Sequence, residues 1–141
     1  MSVEKNKAVV RRHYEEGWNQ RKLSTVDETH APNFVHHDPS NPEDLKGPDD
    51  VKRRLAEVIE AFPDINWTIE DVIAEGDKVV VRWTVRGIHK GEFAGIPPTG
   101  KRIAIQGVHI AQLVNEQIAE DWIIRDSLSM MQQLGVIPKP R

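Results

Sequence analysis

The apolar residues of this chain change period at Pro63. Upstream they recur every three or four residues; downstream they alternate with polar ones. A 3.6-residue stripe buries one side of a helix, whereas a two-residue repeat buries one face of a strand. Helices first and strands afterwards specify an α+β fold with an antiparallel sheet, rather than an alternating α/β chain.

In the helical half, Val10, Tyr14 and Trp18 form one stripe, which predicts a helix from about Val3 to Gln20. Ser24, with Asp27 three positions on, caps a shorter helix carrying Val26, and Pro32 is expected to end it. Phe34 to Pro39 reads as a brief extended stretch. Gly47-Pro48 opens the next helix, with Asp49 and Asp50 in its first turn. Val51, Leu55, Val58, Ile59 and Phe62 face one way, and Pro63 closes the helix.

In the strand half, Ile65, Trp67 and Ile69 start an extended run to Ala74, and Glu75 to Lys78 make a turn. Val79, Val81, Trp83 and Val85 alternate along the next strand. Ala94 to Gly100 is a turn-rich connection. A strand from Arg102 to Val114, the pair Asn115-Glu116, and a strand from Gln117 to Asp126 form a hairpin, followed by a helical turn from Ser127 to Leu134 that stops at Gly135. The hairpin is apolar on both sides: Ile103, Ile105, Ala111 and Leu113 lie with His109, and Val108, Ile110 and Val114 lie opposite. A sheet buried on both faces needs helices on one side and something else on the other, and a homodimer partner is the simplest cover.

The 141 residues suit one domain, 1–141, with a real core. Net charge is −3 with Lys and Arg dispersed, so no basic stripe suggests nucleic acid. The terminal Lys139-Pro140-Arg141 reads as a solvated tail. Cysteine is absent, which removes disulfides, thiol nucleophiles and thiolate metal sites. No apolar run reaches the roughly 20 residues that span a bilayer, and the polar start does not read as a signal peptide. The expectation is a soluble, cytoplasmic protein with no membrane partner.

Several segments together carry a resemblance. Gly87-Ile88-His89-Lys90-Gly91 runs into Gly95-Ile96-Pro97-Pro98-Thr99-Gly100. Gly107-Val108-His109 and Glu120-Asp121-Trp122 follow, with Gln133-Leu134-Gly135 at the end. Trp18-Asn19 and Phe34-Val35, then His37-Asp38-Pro39, fit upstream. In this order the chain, over roughly Lys7 to Ile137, resembles the SnoaL-like polyketide cyclase (ester cyclase-like) family. The resemblance implies a cone of the nuclear transport factor 2-like type: a curved antiparallel sheet against about three N-terminal helices, enclosing an apolar pocket. It also implies ring closure by intramolecular aldol condensation without metal or organic cofactor, with a carboxylic acid beside a histidine moving the protons. The family's catalytic aspartate, fourteen residues after the strand histidine, falls on Ile123 here.

Asp121, two residues earlier and on the same face of a regular strand, is the candidate acid/base; burial is expected to lift its pKa toward neutrality. His109 is the candidate enolate stabiliser. Which residue lies opposite His109 depends on the turn: Trp122 for a strict two-residue turn, Asp121 or Ile123 with one residue more. Of the adjacent pair His36 and His37 only one can face inward, and His37 is the one that fits the family. His37, His89, Trp18 and Trp83 are the candidate contacts for a small hydrophobic or aromatic ligand. Asp126 can cap the last helix. Adjacent histidines are a poor ligand pair, so no metal is expected. Two functions follow: a cofactor-independent enzyme that enolises a hydrophobic carbonyl compound toward ring closure or isomerisation, or a non-catalytic binding protein of the same shape, which Ile123 favours.

Overall fold

The structure is a computed structural model and describes residues 2–41 and 43–138; the Lys139-Pro140-Arg141 tail lies outside them. Helix α1 (Val3–Arg12) passes into a π-helical segment (His13–Asn19), followed by α2 (Ser24–Thr29), β1 (His30–His37), β2 (Leu45–Lys46) and α3 (Gly47–Ala61). Strands β3 (Asn66–Glu75), β4 (Lys78–Ile88), β5 (Arg102–Val114) and β6 (Gln117–Arg125) precede α4 (Ser127–Gln133). They form one curved, unclosed six-stranded sheet in the order β2-β1-β6-β5-β4-β3, with the helices packed against its concave side. The α+β class and the helices-then-strands order agree with the period change at Pro63.

Three local outcomes differ from expectation, each for a physical reason. The first helix widens after Arg12 into π geometry, so residues five apart come into register. The Trp18 indole N–H thereby reaches His13 Nε2 at 2.7 Å. The second helix ends at Thr29, and Pro32 lies inside β1 rather than terminating a helix. The pairing of β1 with β6 is irregular between His30 and Val35, which accommodates a residue without an N–H. The extended stretch at Phe34 is thus part of a true strand, held parallel to β6 and antiparallel to the short β2.

The turn between β5 and β6 is the two-residue Asn115-Glu116 pair, both at positive φ (50° and 61°), as a type I′ hairpin requires. The extra residue is not in the turn. Leu113 pairs with Ile118 and Gln112 with Glu120, leaving Ala119 as a bulge in β6. His109 therefore sits opposite Ile123, and Asp121 opposite Ala111. Beyond the bulge, Asp121, Ile123 and Arg125 share the concave face, while Trp122 and Ile124 share the convex one.

The Trp18-Asn19 pair also has a structural task. The Asn19 side chain donates to the Trp67 carbonyl and accepts from its N–H, both at 2.8 Å, tying the end of the π segment to β3. Asp126 accepts from Ser129 N at 3.0 Å and caps α4.

Candidate active site

The concave face holds an apolar cavity whose walls include Trp18, Phe34, Phe62, Trp67, Trp83, Ile105 and Met130. Six ionisable residues interrupt this lining: Tyr14, His30, His36 and Asp121 together, and Arg54 and Arg125.

Asp121 is 3% exposed and holds the centre of a buried hydrogen-bonded chain. His36 Nδ1 lies 2.5 Å from its Oδ1, and His109 Nε2 lies 2.6 Å from its Oδ2. The hydroxyl of Tyr14 is 2.8 Å from His109 Nδ1. One tautomer of each ring satisfies every contact: Tyr14 O–H donates to His109 Nδ1, His109 Nε2–H donates to one carboxylate oxygen, and His36 Nδ1–H donates to the other. Secondary structure sets this up. His36 and Asp121 are direct partners in the parallel β1–β6 pair, and the small Ala111 opposite Asp121 leaves the carboxylate room to reach along β5 to His109.

These contacts reverse the expected electrostatics of the acid. Burial does push the Asp121 carboxyl up, but the His109 ring and the N–H donors of His109 and His36 outweigh it and hold the group well below the usual carboxylate range. Asp121 is thus an anion at neutral pH, rather than a carboxylic acid lifted toward it. Burial, with help from the Asp121 charge, pushes the Tyr14 hydroxyl well above its ordinary value, so Tyr14 stays a donor. Burial holds His30 down at about 4 and His13 well below its ordinary value.

The structure sorts the residues singled out from the sequence. Asp121, Trp18 and Trp83 line the cavity; the Trp83 indole N–H has no partner among the described residues. His109 is 1% exposed and stands behind Asp121, between it and Tyr14, so it meets the carboxylate and not the open cavity. His37 is on the wrong side of its strand. It stacks on Trp122 on the convex face and pairs with Glu120 (2.6 Å) and Asp44 (3.1 Å). The inward histidine is His36, because β1 alternates and Phe34 and His36 share the concave side.

His89 also misses the cavity. It is fully buried, stacked on Phe62, and its Nδ1 accepts from the Thr99 N–H at 3.2 Å. The glycine-histidine-glycine spacing is thereby a loop anchor, not a ligand contact. Gly91 completes it, since a Cβ there would stand 2.5 Å from the Glu60 carbonyl oxygen.

Five ionisable cavity residues were not legible as such: Tyr14, His30, His36, Arg54 and Arg125. For Arg125 the signal was present, since it follows Asp121 and Ile123 at two-residue spacing on one strand. Its Nη2 forms an ion pair with Asp38 Oδ2 at 2.8 Å, which gives the His37-Asp38-Pro39 segment its structural role. No group of three or more His, Asp or Glu side chains among the described residues is arranged to hold a metal. Nor is any described helix long and apolar enough to cross a membrane.

Comparison with known proteins agrees with this architecture. Residues 8–134 match the model of the SnoaL-like polyketide cyclase family. A structure from Jannaschia sp. CCS1, provisionally described as a SnoaL-like polyketide cyclase, superposes with a TM-score of 0.88 at 29% identity, covering 96% of this chain and 95% of that one. IdmH of Streptomyces antibioticus, provisionally described as a polyketide cyclase, gives a TM-score of 0.81 at 30% identity over 93% of this chain and 99% of its own. AclR of Streptomyces galilaeus, provisionally described as a hydroxylase, gives 0.86 at 28% over 99% and 87%. No functionally curated protein matches the sequence significantly. With nearly the whole chain matched in sequence and fold, this protein belongs to the SnoaL-like polyketide cyclase family.

Proposed function

We propose that the protein is a cyclase-type acid–base enzyme that enolises an apolar carbonyl compound, with the His36–Asp121 pair as its proton-transfer device. The observation that carries this reading is the buried Asp121 carboxylate, whose two oxygens are taken up by His36 and His109 at the cavity wall. A carboxylate so engaged is a poor proton acceptor itself, but it fixes the tautomer of the ring it faces. With Nδ1–H given to Asp121, His36 keeps the lone pair of Nε2.

In this scheme His36 Nε2 accepts a proton from the carbon next to a ligand carbonyl, and the bond's electrons pass into an enolate. Asp121 stabilises the imidazolium that forms. The enolate then attacks a second carbonyl carbon within the same ligand, making the ring's C–C bond, and His36 returns the proton to the new alkoxide. Reprotonation at another carbon instead gives isomerisation. His109, held by Tyr14, positions the carboxylate from behind and is not part of the cavity wall.

The test is deuterium incorporation next to the carbonyl of 2-tetralone in D₂O, followed by NMR. The protein is expected to exceed the buffer rate, with His36→Gln and Asp121→Asn each lowering the excess by ~10²–10⁴-fold. Full exchange in both variants would remove these residues from the chemistry. Binding of 2-tetralone with no exchange at all would favour the non-catalytic binding role.

A further inference from the structure

We propose that the cavity takes an apolar ligand bearing an anionic group, a carboxylate above all, which is received by Arg54 and Arg125. This rests on the reading of the cavity as a ligand site and adds the class of ligand that it selects.

Two guanidinium groups line a cavity whose walls are mainly apolar. Arginine is costly in such surroundings unless its charge is matched and its donors are used. Arg125 is matched only in part. Its Nη2 is held by Asp38, while Nε and Nη1 have no partner among the described residues. Arg54, on α3, has one loose contact among the described residues, 3.9 Å to the exposed Glu57 carboxylate. The two are close enough that the charge of Arg54 adds to burial in lowering Arg125 from its ordinary value, against the pull of Asp38. The one carboxylate in the lining, Asp121, is fully engaged by His36 and His109 and cannot serve them.

An anion between Arg54 and the free edge of Arg125 relieves both groups at once, and planar guanidinium forks suit a carboxylate's two oxygens. Arg125 lies four residues beyond Asp121 on the same face of β6, and its guanidinium is held by Asp38, two residues past His36. The anion and the reacting carbonyl therefore lie along one concave face, with Trp18, Trp67 and Trp83 as flat walls of the same cavity.

The experiment compares 2-naphthoate with its uncharged methyl ester at pH 7 and low salt. Binding is read by quenching of tryptophan fluorescence and checked by calorimetry. The acid is expected to bind at least tenfold more tightly than the ester. Arg54→Met should abolish that preference by weakening the acid tenfold or more while leaving the ester unchanged. Because Arg125 also holds Asp38, its substitution is made as the pair Arg125→Met with Asp38→Asn, and the same loss is expected. An ester that binds as well as the acid overturns the inference and leaves the cavity's ligand role standing. Failure of both probes to bind overturns both together. Neither result bears on proton transfer, since 2-tetralone carries no charge and reads that step separately.

Discussion

His36 and Asp121 face each other as direct partners across a parallel strand pair, ring Nδ1 to carboxylate Oδ1 at 2.5 Å, although 85 residues separate them in sequence. Parallel neighbours with side chains on one face are a rigid way to hold a base and its orienting anion. Neither rests on a loop, and the carboxylate is fixed from its other side by His109.

Tyr14 extends this device, so its hydroxyl should matter without touching the proton being moved. Tyr14→Phe removes the donor that holds His109 Nδ1 as an acceptor. We expect kcat for 2-tetralone exchange to fall about tenfold with KM little changed, and stability to drop by about 1 kcal/mol in urea titrations. A change in KM alone would point to a wall residue and nothing more.

Acid should unfold the protein through its buried histidines. His30 is held down at about 4 by burial and regains its ordinary value of about 6.5 in the unfolded chain. As pH falls below 6.5 the unfolded state takes up a proton that the folded state refuses, and the penalty grows until about pH 4, reaching on the order of 3 kcal/mol. Asp121 acts in the same direction at lower pH: its depressed folded value gives stability above the unfolded carboxylate range that is lost as pH falls below it. The melting temperature should therefore decline steadily from pH 7 to 4.5. His30→Gln should flatten that slope. A melting temperature constant over this range would contradict the assignment of a neutral His30.

The loop anchor is equally exposed to test. Gly91→Ala sets a Cβ against the backbone oxygen of Glu60, which no rotamer change can relieve. A loss of roughly 1–3 kcal/mol is expected, as for other overpacked sites. An unaltered urea midpoint would mean that the α3 end and the loop can move apart freely.

On the convex face, Ile73, Val80, Ile110 and Trp122 pair in register across four strands, with Val108 and Ile124 beside them. We propose that a second copy of the chain covers this row, since a two-fold axis lets one self-complementary apolar patch close on itself. Light scattering behind size-exclusion chromatography should give a dimer, and Ile110→Lys a monomer with its exchange activity intact. A wild-type monomer at 100 μM would end this proposal.

The sequence was most informative where structure is local. The period change at Pro63, the Asp126 cap and the place of the Asn115-Glu116 turn all depend on neighbours within a few residues. The strand-half boundaries follow from the same alternation. Residues that depend on distant partners were harder. His36 and His37 are indistinguishable until β1 is known to lie parallel to β6, and no local signal reports that pairing. The direction of the shift at Asp121 was misread because burial was visible in the pattern and the two imidazole donors were not. The π segment left no trace either, as Val10, Tyr14 and Trp18 satisfy an α period equally well.

The bulge at Ala119 acts as a phase switch for everything downstream on β6. With it, Asp121, Ile123 and Arg125 look inward. The same residues run as an unbroken ladder from that turn would present Glu120, Trp122 and Ile124 to the cavity in their place. The reactivity of such a fold can thus be redrawn by a change of register alone, without any change in the residues that perform it.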